Sequence, residues 1–278
     1  MAESQVLLMD NGSLAAAATL RLREIATVLA QKIGRPVAPV SLLHSSGVPI
    51  EQLGGVPAEI FVPALSRRLD QGVGEFVVVP LFFGPSAALT DFLPASVAQL
   101  RQKHPQLAIR LAPPLFGADD DRLARILADQ VRATAAKSGG RAGGPVALVD
   151  HGSPARAVTE VRNRLAAQLS ALLGAEFPVA PASMERRAGL EFDFAGPLLA
   201  EVLRRPGWSA GEVVVALQFF LPGRHAGPGG DVEKICREAE TALPGLRTRL
   251  TPLVGDHPLL IEILADRWRS GLASRPIL

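Results

Sequence analysis

Val146-Ala147-Leu148-Val149-Asp150-His151-Gly152-Ser153 is an apolar run that stops on a charge and turns through a glycine. The chain has already written it once, as Val6-Leu7-Leu8-Met9-Asp10-Asn11-Gly12-Ser13. A continuous apolar run bounded by a polar turn is the pattern of a strand buried on both faces. Three further matches follow in the same order. Gly74-Glu75-Phe76-Val77-Val78-Val79 returns, before a Phe-Phe pair, as Gly211-Glu212-Val213-Val214-Val215-Ala216. Pro114-Leu115-Phe116-Gly117 returns as Pro252-Leu253-Val254-Gly255, and Ile126-Leu127-Ala128-Asp129 as Ile263-Leu264-Ala265-Asp266. A period of about half the chain means duplicated domains rather than a solenoid of short repeats.

Between the copies, Lys137-Ser138-Gly139-Gly140-Arg141-Ala142-Gly143-Gly144-Pro145 has neither helical nor strand preference and reads as a flexible linker. The expected domains are residues 1–137 and 146–278, with 138–145 joining them. Within the second copy, Val158, Val161, Leu165, Leu169 and Leu172 recur at helical spacing. Val213–Leu217 is the next clear strand, and Leu259–Trp268 closes the copy as a helix. Buried strands alternating with helices predict an α/β fold: two tandem domains, each a small parallel sheet flanked by helices. Ligands of such sheets gather beyond the carboxyl ends of the strands, so the residues that follow each apolar run are the ones to inspect.

Composition narrows the function. At 278 residues, 48% hydrophobic and 20% charged, the chain has the balance of a folded soluble protein with two ordinary cores. Lys and Arg exceed Asp and Glu by 29 to 27, the basic residues are scattered and there is no Tyr, so no nucleic-acid surface is expected. Residues 1–9 lack the pattern of a secretory signal, and no apolar run approaches a membrane span. The single Cys236 precludes an internal disulfide and suits a reducing compartment, so a cytoplasmic location is expected.

Two of the five histidines follow strands of the same sheet. His151 lies in Asp150-His151-Gly152-Ser153. His225 lies in Phe219-Phe220-Leu221-Pro222-Gly223-Arg224-His225-Ala226-Gly227-Pro228-Gly229-Gly230-Asp231. Neutral imidazole ligates Fe, Co, Ni and Zn and can also take up a proton near neutral pH. A single turn histidine is more often incidental, and the shared sheet edge is what lifts this pair above that reading. His257, before a helix, reads as a turn or capping residue, and His104, ending a helix, as a solvated one.

The strand-Asp-His-Gly-Ser start, the Val-rich strand leading to Leu-Pro-Gly-Arg-His and the late Pro-Leu-x-Gly-x-His-Pro-Leu-Leu segment together resemble the CbiX and sirohydrochlorin chelatase family. The match spans nearly all of the second copy; the first resembles the family at its strands and poorly at its loops. The resemblance implies a class II chelatase fold with a cleft between the two domains. It also implies ATP-independent insertion of Co2+ or Fe2+ into sirohydrochlorin or a related tetrapyrrole, on the way to cobalamin or sirohaem. The family's two histidines map onto His151 and His225, as ligands of the incoming metal and as bases for a pyrrole proton. The metal is then a substrate, and no permanently bound cofactor is implied. The tetrapyrrole is a polycarboxylate, so arginines should position it through forked hydrogen bonds, with Arg224, Arg186 and Arg187 as candidates against ordinary solvated arginines. The family's acid after the second strand has three candidates here, Glu185, Glu191 and Asp193. Glu185 is favoured as a proton shuttle or further ligand; a solvated loop carboxylate is the plain alternative.

The first copy departs from this pattern. Asn11 stands where His151 stands, and Phe83–Asp91 holds no histidine opposite His225. Asn11, Ser86 and, in the second copy, Ser153 can hydrogen-bond a carboxylate or ring edge but ligate these metals poorly. One working site is therefore expected. His44 falls beside the position matched by Glu185 and reads either as a substrate-site residue, a third ligand or proton relay, or as a satisfied or solvated loop histidine. Ala226–Gly230 makes the interval from His225 to Asp231 longer than the family's. The main rival is a non-catalytic carrier of tetrapyrrole or metal. A serine hydrolase is disfavoured because neither Ser13 nor Ser153 sits in a G-x-S-x-G elbow, and dinucleotide binding because Gly227–Gly230 lies outside the first strand-helix turn. A fused pair is compatible with a monomer or a homodimer.

Overall fold

The computed structural model describes residues 4–137 and 143–277, so most of the expected linker, 138–142, lies outside the described residues. The chain forms two compact units. One comprises the residues up to Leu115 with those from Ile261 onward, the other Phe116–Leu260.

The first unit is built on β1 (Gln5–Asp10), β2 (Val37–Ser41), β3 (Glu75–Pro80) and β4 (Ala108–Leu111), all parallel in the order β2-β1-β3-β4. Every residue of β1 from Val6 to Asp10 is buried, as the unbroken apolar run requires of a strand covered on both faces. Helices α1 (Ala16–Ile33), α2 (Phe61–Asp70) and α3 (Leu93–Lys103) supply the cover. Leu7, Met9, Val40, Phe61, Leu65, Phe76, Val78, Leu93 and Ile109 form the core on one face. His104, expected in solvent, instead turns inward at the end of α3. Its side chain is 15% exposed, with Nε2 3.8 Å from Asp70 Oδ1. Its helix-end position in sequence carries no sign of the neighbouring α2 against which it folds.

The second unit repeats the plan with β5 (Val146–Asp150), β6 (Val179–Ser183), β7 (Gly211–Leu217) and β8 (Leu246–Leu250) in the order β6-β5-β7-β8. Its cover includes α5 (Arg156–Leu173), the short α6 (Leu199–Val202) and α7 (Asp231–Ala242). Val161, Leu165 and Leu169 are buried as their spacing predicts. Cys236 sits in the core among Val213, Val215, Val232 and Leu246, and burial pushes its thiol up to about 12, which leaves it protonated and inert.

A repeat of sequence and a packed unit are different objects here. Helix α4 (Arg122–Ala136), which follows β4 in the chain, belongs to the second unit. It buries Leu123, Leu127 and Val131 against α5, β7 and β8, and its Gln130 Nε2 donates to Leu253 O at 2.9 Å. Helix α8 (Leu259–Ala273) lies, from Ile261 on, with the first unit. Arg267 there donates to Pro114 O at 3.1 Å and Leu115 O at 2.7 Å, and Gly271 meets Val77 and Ala112 too closely for a Cβ. Among the described residues no helix is long and apolar enough to cross a membrane.

Candidate metal site

The site grows from the carboxyl ends of β5 and β6. Asp150 ends β5 opposite Ser183 of β6, and the backbone pairing runs on past both strands. Met184 N donates to Asp150 O at 2.8 Å and Glu185 N to His151 O at 3.1 Å, which sets His151 and Glu185 side by side. Gly152 makes the approach possible: its φ is +94°, and a Cβ there would overlap the Glu185 carbonyl oxygen. Asp150 Oδ1 accepts the Gly152 N–H at 3.1 Å, and Ser153 Oγ accepts the Ala155 N–H at 3.1 Å, turning the chain into α5. The Ser153 hydroxyl is thus engaged in shaping the turn.

His225 arrives from the loop after β7. Although that loop is long, it folds back on itself. Gly223 N donates to Ala226 O at 2.7 Å, Asp231 N to Arg224 O at 3.1 Å, and Val232 N to His225 O at 3.1 Å. Asp231 returns to place Oδ2 2.9 Å from His225 Nδ1. The extra glycine-rich residues therefore leave the histidine–aspartate contact intact. Asp231 is held below the ordinary carboxylate range by hydrogen bonds from Lys234 and then His225, so it stays an anion that fixes the ring.

The two rings meet edge to face, with centroids 4.5 Å apart and planes at 76°. Each ring has its Nδ1 tied off. His151 Nδ1 lies 2.9 Å from Gly152 O, an acceptor only, and His225 Nδ1 faces the Asp231 carboxylate. Both acceptors require a hydrogen on Nδ1, which leaves the Nε2 lone pairs free, the tautomer a metal needs. His151 Nε2 then faces Glu185 Oε1 at 3.4 Å. A lone pair opposite a carboxylate oxygen is satisfied by a cation between them, whether a proton or a metal ion. Both groups are about half exposed, so such a cation has access from solvent. Among the described residues no group of three or more His, Cys, Asp or Glu side chains is placed to hold a metal ion. The arrangement is an open imidazole pair with a carboxylate at one edge.

The candidate arginines divide. Arg224 is 83% exposed, with only a 3.6 Å contact from Nε to Asp231 Oδ2, and its fork is available. Arg186 Nη1 is held by Asp193 Oδ1 at 2.8 Å, whereas Arg187 lies 5.9 Å over the Phe192 ring. Arg156, at the start of α5, stacks 4.2 Å over Phe194, a contact without a sequence signal because the two residues lie far apart in the chain.

The equivalent edge of the first unit keeps the turn without the chemistry. Gly12, with φ +90°, would overlap Leu43 O if it had a Cβ, and Leu43 N donates to Asn11 O at 3.1 Å. Asn11 is exposed, Leu43 takes the Glu185 position, and His44 follows it, exposed and at φ +65°. Ser13 N donates to Ser45 Oγ at 3.1 Å. Ser86 uses its carbonyl to accept from Leu89 N and Thr90 N, while its hydroxyl is buried without a partner. Asp10 is buried, and burial pushes its carboxyl up to about 6 despite hydrogen bonds from Ser41 and Gly12.

Two four-stranded parallel sheets in tandem, with an open imidazole pair at the edge of one, define a duplicated α/β protein of the chelatase fold. The chain belongs to the CbiX family, whose sequence model matches residues 5–134 and again 145–270. No curated protein sequence matches it. Among solved structures it is similar to SirB from Bacillus subtilis with Fe3+, at 17% identity and TM-score 0.73, covering 98% of this chain and 96% of that one. It is also similar to the sirohydrochlorin chelatase SirB from Bacillus subtilis subspecies spizizenii in complex with cobalt, at 16% identity, TM-score 0.69 and 99% and 100% coverage. DR2241 from Deinococcus radiodurans, a multi-domain protein with similarity to chelatases, follows at 18% identity and TM-score 0.59, with 98% of this chain covering 56% of that one. At these identities the likeness is one of fold.

Proposed function

We propose that this protein inserts a divalent metal, Co2+ or Fe2+, into sirohydrochlorin or a closely related tetrapyrrole, without ATP, in the cytoplasm. The observation that carries the reading is the pair of imidazoles 4.5 Å apart, each with Nδ1 engaged and Nε2 free. Family membership supports it, as do the SirB structures bearing Fe3+ and cobalt.

In this reading His151 and His225 hold the arriving metal by two neutral nitrogens. Two neutral imidazoles open to solvent bind a divalent metal without adding charge, which suits a metal that must be surrendered. Metallation removes two pyrrole N–H protons for each M2+ that enters, so charge is conserved and each proton needs an acceptor. Glu185, 3.4 Å from His151 Nε2, takes the first as the metal leaves the imidazole, and the vacated imidazole takes the second. Arg224 and Arg187 bind the carboxylates of the macrocycle; Arg186 joins them only when its contact with Asp193 opens. Asn11 and His44 of the first unit offer exposed amide and imidazole groups, whereas the Ser86 hydroxyl is buried.

The test is anaerobic incubation of the protein with sirohydrochlorin and Co2+ or Fe2+, followed by absorbance against the uncatalysed reaction. Acceleration that His151→Ala/His225→Ala removes is expected. A background rate with the tetrapyrrole still bound would favour a carrier.

A further inference from the structure

Among the described residues Arg162 is the largest fully buried side chain. It lies on the inner face of α5, between Val161 and Leu165, where a helical stripe calls for an apolar residue. Its guanidinium is fully occupied. Nη1 donates to Ala195 O at 2.8 Å and to Ser183 Oγ, Nη2 to Gly196 O at 3.0 Å, and Nε to Asn163 Oδ1 at 3.1 Å. Nη1 also lies 3.6 Å from Asp150 Oδ1, which the Ser183 hydroxyl reaches at 3.1 Å. Burying a charge costs several kcal/mol even when it is paired, so its retention asks for a reason.

The first unit shows that the fold alone does not supply that reason. The offset that sets Asp10 against Asp150 sets Leu22 against Arg162. Ser41 N donates to Glu59 O as Ser183 N does to Pro197 O, so Pro57 and Ala58 stand where Ala195 and Gly196 stand. The equivalent residues Leu22, Ser41, Pro57 and Ala58 border a pocket of about 490 Å3 that opens to solvent and is also lined by Arg23 and Arg67. The neighbouring Arg23 takes over only the loop, donating to Leu53 O, Val56 O and Pro57 O, and an Asp10 oxygen is left without a partner. The strand-end pairing nevertheless survives there, with Leu42 N on Asp10 O at 2.8 Å. The strand-end pairing thus stands without a guanidinium at the Arg162 position; the buried arginine of that unit, Arg68 on α2, pairs with Glu59 and Ala64 O.

We propose that Arg162 is a positioning residue: it clamps Asp150, Ser183 and the 195–196 loop so that the strand ends beneath them hold His151 and Glu185 in the geometry that receives the metal. The inference rests on the metal-insertion reading above. Asp150 precedes His151 directly and binds the Gly152 N–H, and Ser183 stands two residues before Glu185. His225, carried by the loop after β7 and held by Asp231, is not touched by the clamp.

The experiment uses the full chain with Arg162→Leu, which copies Leu22, and Arg162→Lys, which keeps the charge. The imidazole nitrogen and carbon-bound proton resonances of His151 and His225 are followed by NMR without metal, and Co2+ insertion is assayed in parallel. The expected result is that His151 resonances shift or broaden in Arg162→Leu while the hydrogen bond from His225 Nδ1 to Asp231 keeps its signature, the carbon-bound His225 protons moving only through the ring 4.5 Å away. The kcat should fall about tenfold or more with KM for the tetrapyrrole nearly unchanged, as loss of an outer-shell partner costs. Arg162→Lys should recover part of both, and millimolar guanidinium added to Arg162→Ala should restore the His151 signal. Unchanged His151 resonances and kcat in a folded Arg162→Leu would overturn the proposal, as would loss of the His225 Nδ1–Asp231 hydrogen-bond signature along with the His151 change, the mark of a merely structural role. If Arg162→Leu does not fold, Arg162→Lys decides, because wild-type His151 resonances and kcat there would equally exclude the clamp. The NMR arm needs no metal. A wild type inactive towards both metals would therefore overturn the functional reading without altering the result on the clamp.

Discussion

Asp10 and Asp150 end the same strand in the two copies, stand opposite Ser41 and Ser183 in the same register, and keep different company. Asp150 has Arg162 beside it and His151 after it; Asp10 has Leu22 at the position that matches Arg162 and Asn11 after it. Burial pushes both carboxyls upward, and in the second copy the guanidinium draws Asp150 back. The contrast separates what the sheet needs from what the chemistry needs. The glycine turn and the strand-end pairing occur in both copies and belong to the scaffold. The paired imidazoles, Glu185 and an arginine beside the strand-end aspartate occur in one.

The largest effects test the shared part. Gly12→Ala and Gly152→Ala each force a Cβ into a carbonyl at positive φ and should cost on the order of 3–5 kcal/mol, read by urea denaturation. Comparable losses mark the turn as scaffold in both copies; a much smaller loss at Gly12 would break the equivalence. Next comes Asp10. The unfolded chain releases this proton near 3.8 and the folded chain near 6, so the folded state binds it more tightly and stability falls as pH rises between those values. The contribution is roughly 3 kcal/mol, lost by neutral pH. Asp10→Asn should flatten that slope and raise stability at pH 7, and an unchanged urea midpoint from pH 4 to 7 in both proteins would contradict it.

Smaller effects test the unshared part. Asp231→Asn should weaken Co2+ binding about tenfold by loosening the His225 ring, with little change in stability. His257→Ala should cost about 1 kcal/mol, because its Nδ1 accepts the Leu259 N–H at the start of α8, and should leave Co2+ affinity unaltered.

Much of this was legible in the sequence. Val146–Val149 and Val213–Leu217 announced buried parallel strands, and the strand-end rule pointed to His151 and His225. Glu185 stood out because it directly follows the apolar start of its segment, and the structure sets it beside His151. Arg162 was not, since one arginine inside an apolar stripe reads as a flaw in the pattern until its acceptors, far along the chain, are seen. The role of Asp231 stayed hidden behind the long glycine loop, whose return to His225 is a matter of three-dimensional folding. The partners of α4 and α8 were illegible for a similar reason: periodicity tells which face of a helix is buried and not which sheet buries it.

The central claim is that metal chemistry resides at one of two equivalent sheet edges. Titration with Zn2+, a diamagnetic probe, while observing the ring nitrogens of all five histidines tests it most directly. The account predicts that, up to one equivalent, Nε2 of His151 and His225 show the shift of coordination while His44, His104 and His257 keep their free-protein signals. Coordination first at His44 or His257, or at none of the five, would contradict it.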